Sequence, residues 1–336
     1  MDYILPFYGI KFFLISLLTI VAIIWFKKFW QNVISYEQLI GLLTVSYLLL
    51  FLPNKFYLIA FLFYTYFIYY YFTEFKPTTH ILKPSLLIAL PMILFKFDVE
   101  PFYNILGISY ITFRSVQMMV DYKNYGRLNF INFTSFLLFP PTLLAGPIDR
   151  SYRFQNDINA GYQNINTDNF FIGWRILLIG ILFKFVIADF IDLFWLSKLN
   201  AESKNIVDMA NNAYAYTVFL YFDFAGYSAM AIGLAKMIGI NIPINFNKPY
   251  LAENPQAFWR RFHITLGAWL TDYFFKPIYK YLHQFHILKG RRLLIQNMAI
   301  IATFLLMGMW NGLEFHYIFS GFLFGFYSAI HNSYVY

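Results

Sequence analysis

The run FLLMGMWNGLEFHYIF, residues 304–319, is apolar enough for a bilayer interior, yet Asn311, Gly312, Glu314 and His316 interrupt it. Whether such runs cross lipid or fill a soluble core decides the fold. The surrounding composition favours lipid. Of 336 residues, 60% are hydrophobic and only 12% are charged, with a mean hydropathy of +0.54. Soluble domains carry about 25% charged residues, so this chain could not keep a surface wetted. Aromatics make up 23%, with 42 Phe and 28 Tyr. Tyr and Trp rings suit the headgroup layer, where the ring is apolar and the polar tip reaches water.

The chain has no cysteine. That excludes disulfides, thiolate metal sites and a cysteine-borne acyl intermediate within it. The formal net charge of +8 points to cytoplasmic loops and anionic lipid, not to nucleic acid. The first apolar segment is too long for a signal peptide, and Lys27 and Lys28 follow it instead of preceding it. There is no phosphate-binding glycine loop. His283 and His286 lie three apart without a third ligand, so no metal site is expected.

A spanning helix needs roughly 20 apolar residues. Candidates are 4–26, 34–52, 56–73, 81–97, 130–146, 170–196, 213–240, 293–310 and 313–330. The stretch 102–120 carries Asn104, Arg114 and Gln117 and reads as a buried or re-entrant helix. The expected fold is an all-α integral membrane protein, with nine to eleven embedded helices in a single domain over 1–336. Lys27 and Lys28 after the first helix place the N-terminus outside, and the basic stretch 260–292 belongs on the cytoplasmic face.

Ionisable groups at membrane depth are costly and tend to mark function. In LLAGPIDR (143–150), Gly146-Pro147 ends a helix, and Asp149 and Arg150 read as a surface pair. In FKFVIADF (183–190), Lys184 reads as snorkelling and Asp189 as a helix-end carboxylate. In YFDFAGYS (221–228), Asp223 lies mid-segment and must be paired or protonated, while Gly226 allows close helix approach. In 254–282, Pro255 after Asn254 starts a basic amphipathic helix. Its apolar stripe is Trp259, Phe262, Leu266, Trp269 and Leu270, and it carries Arg260, Arg261 and His263.

Five stretches in order resemble the membrane-bound O-acyltransferase family, in its branch that D-alanylates teichoic acids. They are LGISYITFRSVQMMVD (106–121), FPPTLLAGPIDRSYRF (139–154), YFDFAGYSAMAIGLAKMIGINIPINFNKPY (221–250), FWRRFHITLGAWLTDYFF (258–275) and LMGMWNGLEFHYIFSGFLFGF (306–326). The resemblance implies helices around a membrane-buried tunnel, and mid-segment Asp223 reads from the residues as a functional or cavity-lining group. The resemblance also implies a D-alanyl donor on the phosphopantetheine arm of an acidic carrier protein, with no cofactor bound. The acceptor hydroxyl would be that of lipoteichoic acid, and the other membrane proteins of the Dlt system would be partners in the bilayer. Carrier docking would fall on Arg260, Arg261, Lys276, Tyr279 and Lys280.

The resemblance puts His263 in the tunnel, and puts the catalytic base at the histidine of a W-H-G motif. Here that motif reads Trp310-Asn311-Gly312. An amide has no proton affinity near neutral pH, so Asn311 can orient a hydroxyl or donate to a carbonyl oxygen but cannot be the base. The family also continues beyond this helix, so the C-terminal helices are expected to be absent. Three readings follow: an O-acyltransferase, weak or inactive through Asn311; an inactive carrier-binding relative; or acylation of another surface polymer. A transporter would need an inverted repeat, and none is visible.

Overall fold

Apolar runs fold as helices because a helix satisfies every backbone N–H and C=O within its own segment. The computed structural model describes residues 9–335, apart from 52–54, 78–80, 101, 103, 104, 106, 201, 202 and 204. The expected segment ends at 4–8 and 52, and Asn104, lie outside the described residues. Among the described residues there is no strand, only an isolated bridge between Phe246 and Phe262. The chain divides into two compact units, Met1–Ala89 with Tyr103–Ile244, and Leu90–Phe102 with Asn245–Tyr336.

In the first unit, α1 (Ile10–Trp25) turns by 76° into α2 (Lys27–Val33). Then come α3 (Tyr36–Phe51), α4 (Lys55–Tyr70, extended by a π turn to Phe75) and α5 (Leu82–Lys96), whose last turns belong to the second unit. After α6 (Ile108–Tyr125), α7 (Phe130–Leu137) and α8 (Ser151–Ala160), a π turn joins α9 (Thr167–Leu182) to α10 (Asp189–Phe194). The unit closes on α11 (Ile206–Met237), 32 residues long. Three described helices are long and apolar enough to cross a membrane: Lys55–Phe75, Ile206–Met237 and Arg292–Asn311. The bent pair α1–α2 makes a fourth if it is counted as one span.

The expected span at 130–146 is corrected. It is the 8-residue α7 followed by a 3-10 turn, Pro140–Thr142. Two prolines without N–H groups cannot continue the helix. The helix therefore ends at Leu137, well before Gly146-Pro147. Residues 132–143 are all buried, so the segment is apolar because it lies inside protein. The stretch read as buried or re-entrant is the buried α6. Its Arg114 is 1% exposed and donates to the carbonyls of Phe136 (3.2 Å) and Leu137 (3.0 Å) and to Thr142 Oγ1 (2.6 Å). A guanidinium thus takes up the orphan carbonyls at the end of α7. Asp149 is held by Arg153 (Nε at 2.9 Å) and by the backbone N–H of Arg150, which replaces the expected side-chain pair with Arg150.

α9 and α11 pack antiparallel through glycines seven residues apart. A Cβ at Gly173 would sit 2.6 Å from the Gly233 carbonyl, and one at Gly226 2.6 Å from the Lys184 nitrogen. These neighbours are backbone and cannot move aside. Overpacking of this kind costs about 1–3 kcal/mol, so Gly226→Ala should lower the thermal midpoint in detergent clearly. An unchanged midpoint would contradict the close seam. The same seam corrects the reading of Lys184. It does not snorkel: it is 5% exposed and ion-pairs with Asp223 on α11.

In the second unit, α15 (Arg292–Asn311) and α16 (Phe315–Val335) form a hairpin of the same type. Gly308 lies against the Tyr317 carbonyl and Gly321 against that of Phe304.

Candidate functional site

Asn254 caps α12 (Pro255–Trp259), accepting from the Ala257 N–H at 2.8 Å with Pro255 at the first helical position. The single amphipathic helix expected over 254–282 does not form. The chain breaks at His263, in the left-handed region (φ 49°, ψ 50°), before α13 (Ile264–Leu270). A π turn then leads into α14 (Lys276–Leu282). The cause is a pairing from far along the chain. The Ile264 N–H donates to the Asn245 carbonyl and the Asn247 N–H to the Arg261 carbonyl, each at 2.9 Å. These bonds tie 261–264 to 245–247 on either side of the bridge between Phe246 and Phe262. A non-glycine residue in such a conformation costs about 1–3 kcal/mol and persists only where its surroundings over-determine it.

His263 is 7% exposed. Its Nδ1 lies 3.0 Å from Asn245 Oδ1, which also accepts from Thr265 Oγ1 at 2.8 Å. Its ring centroid is 6.3 Å from that of Trp310. Trp310 and Asn311 end α15, and Gly312 follows in extended backbone (φ −171°, ψ 163°). Gly312 is buried, and a Cβ there would run into the Tyr317 ring and the Glu314 carboxylate. Trp310 is half-buried and Asn311 exposed. Lys96, on the last turn of α5, donates to the Asn311 carbonyl at 3.3 Å. A cation there suits the negative end of the α15 dipole.

One unit thus brings together His263, Trp310, Asn311 and Gly312. Asp223 belongs to the other unit, where Lys184 pairs with it. The apolar stripe survives in part. Leu266, Trp269 and Leu270 are buried, and Trp259 packs edge-on to Phe304 (5.5 Å) and Phe324 (5.1 Å). Of the basic residues, Arg260, Lys276 and Lys280 are exposed. Lys276 pairs with Asp272 at 2.7 Å, and Arg261 is half-buried with a bond to the Leu251 carbonyl at 2.9 Å. Tyr279 lies between Phe275 and His283. The reading of residues missed Asn245, Thr265 and Lys96. The available signal was an amide at 245, set among Ile242, Ile244 and Phe246.

His263 lies outside the described candidate spans. Burial pushes its imidazole down to about 3, so the ring is neutral at working pH. In the unfolded chain it binds a proton below about 6.5. Between those values the unfolded state therefore holds more protons, and stability rises with pH. Thermal midpoints should fall as pH drops from 6.5, by up to about 1.4 kcal/mol of stability per pH unit from this group. His263→Gln should flatten that slope, and an unchanged slope would contradict the buried neutral ring.

The profile of the membrane-bound O-acyltransferase family matches residues 13–335. A teichoic acid D-alanyltransferase of Streptococcus thermophilus is 33% identical over 268 residues, 75% of this chain and 63% of that protein. One from Bacillus subtilis is 34% identical over 232 residues, 68% of this chain and 58% of that protein. A probable alginate O-acetylase of Pseudomonas aeruginosa is 34% identical over 255 residues, covering 73% and 47%. The chain thus spans less than two thirds of the length of each of these relatives.

Proposed function

The chain belongs to the membrane-bound O-acyltransferase family, and from that premise we propose that it carries an acyl-transfer site for a D-alanyl group. The donor is a thioester on the phosphopantetheine arm of a carrier protein. The acceptor is a hydroxyl of lipoteichoic acid, and the other membrane proteins of the D-alanylation system are its partners. The hydroxyl oxygen attacks the thioester carbonyl. A C–O bond forms, the C–S bond breaks, and the proton passes to the departing thiol. The observation that carries this reading is the convergence, in one unit, of buried His263 with the Trp310-Asn311-Gly312 turn. On this reading the N-terminus faces outward and the basic stretch 260–292 inward, which Lys27 and Lys28 after the first helix support.

Carrier proteins are acidic, so exposed Arg260, Lys276 and Lys280 form the docking surface. Charge reversal at all three should weaken carrier binding to the protein in nanodiscs and flatten its salt dependence. Binding that ignores both reversal and salt would refute this surface. Two further readings have specific support. Asn311 in place of a base favours a carrier-binding relative with weak turnover. The likeness to an alginate O-acetylase favours an acetyl donor. Membrane vesicles supplied with labelled D-alanyl carrier or a labelled acetyl donor separate them. Preferential D-alanyl transfer supports the main reading, and acetyl transfer alone overturns it.

A further inference from the structure

The amide at position 245 makes a contact with consequences for the chemistry of its neighbour. Asn245 is 1% exposed and its Oδ1 lies within hydrogen-bond distance of three groups: Thr265 Oγ1 at 2.8 Å, the Thr265 N–H at 3.3 Å and, at 3.0 Å, Nδ1 of His263. Thr265 fixes the orientation of the amide, because its backbone N–H can only donate and so needs an oxygen there. An amide oxygen can only accept. The hydrogen between the two side chains therefore sits on Nδ1, and the lone pair of the neutral imidazole sits on Nε2. Backbone bonds pin both sides of this contact: the Asn245 carbonyl takes the Ile264 N–H, and the Asn247 N–H binds the Arg261 carbonyl. His263 itself sits in the left-handed region between these two backbone bonds.

We propose that Asn245 is a positioning residue that locks His263 in its Nδ1–H tautomer and so makes Nε2 the proton-accepting atom of the site. The inference rests on the acyl-transfer reading only for its use in catalysis. Of the two motif positions 263 and 311, only His263 has proton affinity. A ring free to choose its tautomer would present an N–H for part of the time, where a hydroxyl or thiol needs an acceptor. A neighbour that sets the proton on one ring nitrogen sets the role of the other.

The test is NMR of the full chain in nanodiscs with 15N-labelled histidine. His263→Gln assigns the signal among the six histidines. The wild type should show the Nδ1–H pattern. Asn245→Asp, which keeps an acceptor, should preserve it. Asn245→Leu, of similar size and with no acceptor, should shift the ring toward Nε2–H. In any form that turns over, Asn245→Leu should reduce kcat by roughly 10²-fold with KM little changed. An Nε2–H pattern in the wild type overturns the inference and needs no variant to fold. An unchanged pattern in a folded Asn245→Leu protein also overturns it. The expected tautomers without any acyl transfer would support Asn245 as positioning residue while sinking the acyl-transfer reading.

Discussion

Asn311→His should raise acyl transfer from a carrier thioester by about 10²–10⁴-fold, the usual worth of a general base. A hydroxyl attacks a thioester slowly until a group with proton affinity takes its proton; the amide of Asn311 has none, and burial holds His263 down to about 3, so its Nε2 is a weak acceptor that a second imidazole would outdo. The local structure tolerates the change. Asn311 is the last residue of α15, its side chain is exposed, and Lys96 grips its backbone carbonyl, not its amide. The bend that follows depends on Gly312, which the substitution leaves alone. The Lys96 ammonium also disfavours a second positive charge nearby, which keeps a new imidazole neutral and able to accept a proton. Thioester consumption and label on the acceptor, wild type against variant, read the effect. No gain would mean that position 311 does not supply the base in this chain.

Asp223→Ala should destabilise the protein by about 3–5 kcal/mol, because it removes the carboxylate that ion-pairs with the buried Lys184 ammonium. Lys184 is 5% exposed and the glycine seam of α9 and α11 closes around it. The double variant Lys184→Met, Asp223→Leu removes both charges and should recover most of the loss, since an apolar pair of similar volume has no desolvation penalty to offset. Thermal unfolding in nanodiscs gives both numbers. A neutral Asp223→Ala would mean that the pair is not closed in the membrane-embedded protein. A double variant no better than the single would assign the loss to packing.

Long apolar stretches with clean ends were legible from residue order. The segments expected at 56–73, 213–240 and 293–310 appear as Lys55–Phe75, Ile206–Met237 and Arg292–Asn311. The stretch 130–146 was not legible as to its setting, because burial in protein and burial in lipid ask for the same side chains. Only Pro140-Pro141 separates the two, and it shortens the helix without saying what surrounds it. The break at His263 has no local cause such as Gly or Pro. It comes from hydrogen bonds to 245–247, which periodicity cannot see. The partner of Lys184 was hidden in the same way, 39 residues along the chain. At the candidate site, motif positions pointed to His263 and to Trp310-Asn311-Gly312. The residues that hold them, Asn245 and Lys96, became visible only through tertiary contacts.

The most direct test places the donor physically. A carrier protein bearing a photoreactive, non-hydrolysable D-alanyl amide on its phosphopantetheine arm is bound to the protein in nanodiscs and irradiated, and the crosslinked peptides are sequenced by mass spectrometry. Crosslinks should fall around His263 and around Trp310-Asn311-Gly312, and should vanish when unlabelled loaded carrier competes. Competable crosslinks confined to Tyr103–Ile244 would contradict an acyl-transfer site built on His263 and Asn311.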